Sequence, residues 1–385
     1  MNRRGVVRVG DVLGGAMRGG AARGGDELRG AVWGRAVVGR ATRGLVGGAL
    51  VAALAVTSAC GVDDDEGGLP DAPADSTSID SADAGIPEVD AVMPLPAGAV
   101  ISTGIPGELP AEDDSCNPLA SLRPDDADPE ERVPKIIERG RLIVGLDQGS
   151  NLFSFRDPAT GELTGFDVDL AREIADDIFG NPDQVEFRSL TSANRIEALE
   201  DNQVDLVIRS MSITCERREQ VAFSAPYYQA YQRVLAVRGS GIEDLEDLEG
   251  KRVCVASGTT SAARLWAELD RITVLSVNTW ADCLVAIQQN QVDAITTDDA
   301  ILVGITAQDP YLEIVGPQLA AEPYGVGIAK STPSHDTDGL VRQVNSTLAR
   351  IRADGTWNRM YSTWLSGLGS SPGMPAPTYL PEPQQ

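Results

Sequence analysis

From Arg141 onward, short apolar runs alternate with amphipathic stretches. "RLIVGL" predicts a strand. "GFDVDLAREIADDIFG" predicts a helix: Phe166, Leu170, Ile174 and Ile178 recur every four residues, Ala171, Ala175 and Phe179 lie beside them, and Gly180 is a stop signal. The strand "VEFRSL", the helix "SANRIEALEDN", the strand "DLVIRS", the short helix "TCERREQVAF" and the strand "QRVLAV" follow. The rhythm restarts at Lys251 with the strand "KRVCVAS", the helix "TTSAARLWAELD", the strand "TVLSV", the helix "WADCLVAIQQNQ", the strand "VDAITT" and the helical "DDAILVGITAQ". A late strand, "YGVGIAK", precedes two helices, "DGLVRQVNSTLARIRADG" and "TWNRMYSTWLSGL". Strands alternating with helices predict a mainly parallel sheet with helices on both faces, and the repeated rhythm predicts two such lobes.

The two halves echo each other: "IEALEDNQVDLVIRS" parallels "LVAIQQNQVDAITTD". In open α/β sheets, ligands sit beyond the carboxyl ends of the strands. The strand ends "IRSMS" and "TTDD" are therefore candidate positions, and two lobes facing each other would enclose a cleft.

Upstream of this rhythm the composition changes. Residues 44–59, "GLVGGALVAALAVTSA", are apolar and small behind an Arg-rich start, too short for a membrane span and suited to a signal segment. "TSAC" resembles a lipobox in which Cys60 is lipidated, although Thr57 stands where leucine is preferred. Residues 61–131 carry 19 acids, one arginine (Arg123) and no aromatic residue. Such a stretch cannot bury enough apolar surface to offset the entropy of ordering, so it reads as an acidic, extended tether. The formal charge of −25 argues against nucleic acid and against docking on anionic headgroups.

Setting Cys60 aside, Cys116, Cys215, Cys254 and Cys283 remain, an even count that suits two disulfides in an exported chain, with three pairings open. No spacing is CxxC and His335 is the only histidine, which argues against a zinc site and against Ser/His or Cys/His catalysis. No cofactor is implied. In so acidic a chain, Arg209, Arg217 and Arg218 stand close together among hydroxyls in "VIRSMSITCERREQVAFSAPYY", either as an exposed face, as ion pairs or as an anion site.

Taken in order, "GRLIVGLD", "TGELTGFDVDLAREIA" and "VDLVIRSMSITCERREQVAFSAPYY" resemble the family-3 extracellular solute-binding proteins of ABC amino-acid importers. "TSANRIEAL", "ITCER" and "CNPLASLRP" are similar to glutamate-binding, actinobacterial-type lipoproteins. The resemblance covers roughly residues 134–368. It implies the type II periplasmic-binding-protein fold: two α/β lobes, each a mainly parallel sheet flanked by helices, joined by two crossing strands, here expected at "YQRVLAV" and "YGVGIAK". The expected division is a signal peptide over 1–59, a lipidated cysteine and disordered linker over 60–131, lobe 1 over 132–234 and 326–370, lobe 2 over 235–325, and a tail over 371–385.

The resemblance also implies roles for particular residues. Arg217 would clamp the α-carboxylate of an amino acid in two parallel hydrogen bonds, helped by Ser210, Ser212, Thr259 and Thr260. Asp298 would hold the α-ammonium, with Asp299 as its rival. Ser192 and Arg195 would reach a distal carboxylate, and Arg209 would either add a second charge or pair with a nearby acid. Where the family often stacks an aromatic over the ligand, "DQGSNLFSF" leaves Phe153 or Asn151. In the two-lobe layout, Cys254–Cys283 lies within lobe 2 and Cys116–Cys215 fastens the tether to lobe 1. The function expected is a lipid-anchored, monomeric receptor at the periplasmic or cell-surface side. It would bind glutamate first, then aspartate or glutamine, and deliver it to ABC permease subunits. The alternatives are a sensing receptor for a signalling partner and a dehydratase-type enzyme on the same fold. No GxxxxGK[ST] P-loop is present, so an ATPase would be a separate chain.

Overall fold

The four-residue stripe Phe166, Leu170, Ile174 and Ile178 is buried along the helix Phe166–Phe179 in the computed structural model, which describes residues 93–103 and 116–381. Gly180 ends this helix at φ 65°, its N–H bonded to the Asp176 carbonyl at 2.7 Å. Glycine adopts this left-handed conformation without a Cβ penalty. The expected signal segment 1–59 and lipidation site Cys60 lie outside the described residues.

Two sheets organise the chain. The first has five strands in the order Val185–Ser189, Leu142–Leu146, Leu206–Val207, Gly327–Ala329, Val221–Phe223. Its first three are mutually parallel, and Gly327–Ala329 runs antiparallel to its neighbours. The second has six strands in the order Val100–Thr103, Thr273–Val277, Arg252–Ala256, Ala294–Asp298, Tyr228–Val237, Leu312–Tyr324. Three of its inner strands, Thr273–Val277, Arg252–Ala256 and Ala294–Asp298, are parallel. Leu142–Leu146 and Ala294–Asp298 are buried at every position, as strands covered on both faces must be. The helix Trp280–Gln288 starts on a capping box: Thr279 Oγ1 accepts from the Asp282 N–H at 3.2 Å, and Asp282 accepts from the Thr279 N–H at 3.0 Å.

The chain passes between the sheets on two long antiparallel strands, Tyr228–Val237 and Leu312–Tyr324. The second crossing is therefore not "YGVGIAK", of which Gly327–Ala329 belongs to the five-stranded sheet. Pro317 and Pro323 hide the true crossing from a strand pattern, because proline cannot donate to a ladder. The ladder breaks between Gln232 and Val234, opposite a bulge containing Gly316 at φ 69°. Around the crossing sits an aromatic cluster, with Phe153 edge-on to Tyr228 and Tyr324 at 5.8 and 6.0 Å.

The tether expected over 60–131 is corrected where it is described. Val100–Thr103 pairs antiparallel with Thr273–Val277 as an edge strand of the six-stranded sheet. Ala120–Ser121 is buried and pairs with Thr378–Tyr379, so the expected tail 371–385 also contributes a strand. Acidic composition masked these short pieces, which are ordered by strand pairing, Val100–Thr103 on the six-stranded sheet and Ala120–Ser121 on Thr378–Tyr379, rather than by a core of their own. Disulfides join Cys116 to Cys215 and Cys254 to Cys283, with Cα atoms 5.9 and 5.6 Å apart. Among the described residues, no helix is long and apolar enough to cross a membrane.

Candidate functional site

The strands of both sheets end at one cavity. From the five-stranded side come Arg209 and Ser210, after Leu206–Val207, then Ser212, and Arg217 in the helix Cys215–Gln220. Ser192 and Arg195 follow Val185–Ser189. From the six-stranded side come Thr259 and Thr260, after Arg252–Ala256, and Asp298, which ends Ala294–Asp298. These nine residues thus line the same cavity, of about 20 Å³. Ser150, Ser154, Trp280 and Thr297 line it as well.

The cleft is closed. A Cβ on Gly258, at φ 75°, would lie 2.7 Å from Ala193 Cα and 2.8 Å from the Ser192 carbonyl across the gap. Asn151 Nδ2 donates to the Gly304 carbonyl at 3.1 Å, again from one side to the other. Asn151 is therefore a cross-cleft tie, and Phe153 is fully buried in the aromatic cluster behind the cavity. Neither fills the place of a stacking aromatic; the aromatic that reaches the cavity is Trp280, in the first turn of its helix.

Three arginines are buried here, and they differ. Arg209 is balanced: its Nη2 lies 3.0 Å from Asp147 Oδ2, its Nε donates to the Leu190 carbonyl at 2.8 Å, and its Nη1 donates to Ser192 Oγ. Asp147 is held in turn by the Ser150 hydroxyl at 2.7 Å and by the Gln148 and Gly149 N–H groups. Of the two roles open to Arg209, the structure shows the ion pair. Arg217 donates only to carbonyls, Ser212 at 2.7 Å and Gly258 at 3.2 Å. Arg195 donates to the Arg209 and Gly258 carbonyls, both at 3.3 Å, and its Nε has no partner. Burial pushes the Arg195 guanidinium well below its ordinary range, and the Arg217 and Arg209 cations add to this. Burial also lowers Arg217, against the opposing charge of Glu322. Buried cations without a carboxylate are costly unless an anion joins them.

Opposite stands Asp298, 6% exposed. Its Oδ2 accepts the Tyr324 hydroxyl at 2.5 Å, and its Oδ1 has no hydrogen-bond partner. Asp299 points elsewhere, accepting the Tyr231 and Ala300 N–H groups at 3.2 and 2.8 Å.

Sequence reasoning missed a further layer. Asp167 is fully buried and accepts the Tyr227 hydroxyl at 2.9 Å and the Ser210 N–H at 3.2 Å. It fixes Ser210 at φ 43°, a left-handed conformation costly for a residue with a side chain. Burial pushes the Asp167 carboxyl up to about 7, against these hydrogen bonds and the Arg209 charge. The signal was present: Asp167 lies three residues before Leu170, on the apolar face of its helix, where an acid needs partners.

The sequence profile of bacterial extracellular solute-binding proteins, family 3, matches residues 142–367, more than half of the chain. The ABC transporter glutamine-binding protein GlnH of Bacillus subtilis (strain 168) is 32% identical over 231 residues, 60% of this chain and 83% of that protein. The glutamate-binding protein GluB of Corynebacterium glutamicum is 33% identical over 236 residues, 58% of this chain and 78% of that one. Among solved structures, holo ArgBP from T. maritima is similar with a TM-score of 0.53 at 33% identity, covering 61% of this chain and 100% of that chain. A solute receptor for L-cysteine of Neisseria gonorrhoeae is similar with a TM-score of 0.58 at 26% identity, covering 63% and 99%.

Proposed function

This chain belongs to the bacterial extracellular solute-binding proteins of family 3, and from that premise we propose that it binds a polar α-amino acid, glutamate before aspartate or glutamine, between its two lobes. It is an exported substrate-binding protein for polar amino acids of the kind that serves ABC transporters.

One observation carries the choice of ligand. Two buried guanidiniums, Arg195 and Arg217, face a single cavity without a carboxylate hydrogen-bonded to either, while Asp298 stands across from them with a free oxygen. Arg209 is already neutralised by Asp147. A ligand carrying two anionic groups and one cation matches this arrangement. Arg217 takes the α-carboxylate, with Ser210, Ser212 and Thr259 around it, while the Thr260 hydroxyl, which donates to Glu322, is left to accept from the amine. Asp298 takes the α-ammonium, and Arg195 with Ser192 takes the distal carboxylate. Charge-assisted hydrogen bonds of this kind contribute about 1.5–3 kcal/mol each. The names of the relatives agree on the class, one binding glutamine and another glutamate.

The lobes we propose are 132–234 with 326–370, and 235–325, with Cys60 lipidated and the tether between Cys60 and the lobes holding a monomer near its permease. The partner is an ABC permease rather than a signalling protein, and no enzymatic step is proposed.

Isothermal titration of the protein against the twenty amino acids tests the ligand. Tightest binding by glutamate supports the reading, and binding of only apolar or basic amino acids overturns it. Release of a Cys60→Ser variant from the membrane fraction tests the anchor; unchanged retention removes Cys60 from that role.

A further inference from the structure

The stretch Glu322–Tyr324 of the second crossing strand is bonded to both walls of the cleft. Its backbone meets the five-stranded side: the Ile213 N–H donates to the Pro323 carbonyl at 2.8 Å, and just beyond it the Gly325 N–H donates to the Met211 carbonyl at 3.0 Å. Its side chains meet the other side: the Thr260 hydroxyl donates to Glu322 Oε2 at 3.1 Å, and the Tyr324 hydroxyl donates to Asp298. Glu322 is 7% exposed and does not line the cavity; it reaches the site through Thr260 and through its charge.

Two consequences follow from elementary chemistry. The Thr260 hydroxyl has one proton, and Glu322 takes it, so lone pairs are what this hydroxyl offers to the cavity. Asp298 is a buried carboxyl with one bare oxygen, and the Glu322 charge acts on it, which disfavours its ionised form. Resting on the amino-acid reading above, we propose that Glu322 is a positioning residue for the ligand's amine, and that an arriving ammonium group expels a proton from Asp298 to solvent. The ammonium arrives already charged, so the balance is one N–H···O contact to the Asp298 carboxylate gained and one proton passed to the buffer.

The surroundings of Asp298 support this. Burial pushes its carboxyl well above the ordinary range, the Glu322 charge adds to the rise, and so does Asp299 at the start of its helix. Against them act the Tyr324 hydrogen bond and the Arg217 charge from the opposite lobe. Arg195 also faces Asp298 from that lobe, and Tyr228 from the first crossing strand. The sign is then fixed. A proton bound in the free protein and lost on binding makes affinity rise with pH, by up to about tenfold per unit, until Asp298 is ionised in the free protein too.

Calorimetric titration of the full chain with L-glutamate, in phosphate and in Tris at the same pH, counts the protons. The expected result is a heat that differs between the buffers by a release of up to about one proton. In Glu322→Gln that release shrinks and the pH dependence of affinity flattens; Glu322→Asp, which keeps the charge, restores both. Buffer-independent heats with binding intact overturn this inference alone. A Glu322→Gln protein that binds more weakly while releasing as many protons reduces Glu322 to a structural role. Binding by no amino acid at all overturns the receptor reading on which the inference rests.

Discussion

At the scale of single residues, the two unpaired arginines carry different parts of the ligand, and substitution separates them. Arg195→Met should weaken glutamate by roughly tenfold or more and glutamine much less, because one charged hydrogen bond to the distal group is lost. Arg217→Met should weaken every α-amino acid alike. Equal losses for glutamate and glutamine in Arg195→Met, read by calorimetry, remove Arg195 from the distal pocket. Asp167 makes a second prediction, about stability. Its carboxyl moves from 3.8 to about 7 on folding. The neutral form is the favoured one in the fold, so stability is fully present below about pH 4 and is lost as pH rises to about 7. The loss is on the order of 4 kcal/mol at most. Urea midpoints of the wild type and of Asp167→Asn should therefore diverge between pH 4.5 and pH 8 in favour of the variant, and a constant gap at both values contradicts this. Nine of the cavity-lining residues were legible because each sits at the end of a strand or in a motif with fixed spacing; Ser150, Ser154, Trp280 and Thr297, which line the cavity too, were not. Asp147, Asp167 and Glu322 were not. Each acts on another protein group rather than on a ligand, and in a chain with 57 acids nothing in composition marks out three of them.

At the scale of elements, periodicity found nearly every strand and helix that is buried on one clear face, such as Phe166–Phe179 and Arg252–Ala256. It missed Leu312–Tyr324, whose mixed burial and internal prolines break any alternation, and Val100–Thr103, which is held only by pairing to a neighbour. It misplaced the second crossing as a result. It also gave no hint that the loop after Arg252–Ala256 touches the opposite lobe through Gly258. That contact makes a third prediction. In Gly258→Ala the new methyl meets Ser192 and Ala193 backbone only when the cleft is shut, on top of about 1–2 kcal/mol for a side chain in the left-handed region. Glutamate affinity should fall by tenfold or more, while the ligand-free protein loses no more stability than the about 1–2 kcal/mol of the left-handed conformation. A variant that binds as tightly as wild type shows that the loop yields.

At the scale of the whole molecule, the closed cleft and the two crossing strands imply an open partner state reached by bending at Tyr228–Gln232 and Ala320–Tyr324, where the strands pair. Small-angle scattering should show the radius of gyration falling when glutamate is added, since both lobes must touch the ligand. An unchanged radius argues against hinge closure. The disulfides bear on a different matter, the making of the protein. In chain order the four bonded cysteines are Cys116, Cys215, Cys254 and Cys283, and each is joined to its immediate successor or predecessor. A chain that leaves the cytoplasm amino end first presents them in that order. With Cys60 taken up by the proposed lipid, Cys116 meets Cys215 before Cys254 or Cys283 has emerged, and Cys254 then meets Cys283 with the first two already spent. An oxidant that simply couples thiols as they appear therefore produces the native connectivity, and secretion in cells lacking a disulfide isomerase should yield correctly bonded protein in undiminished amount.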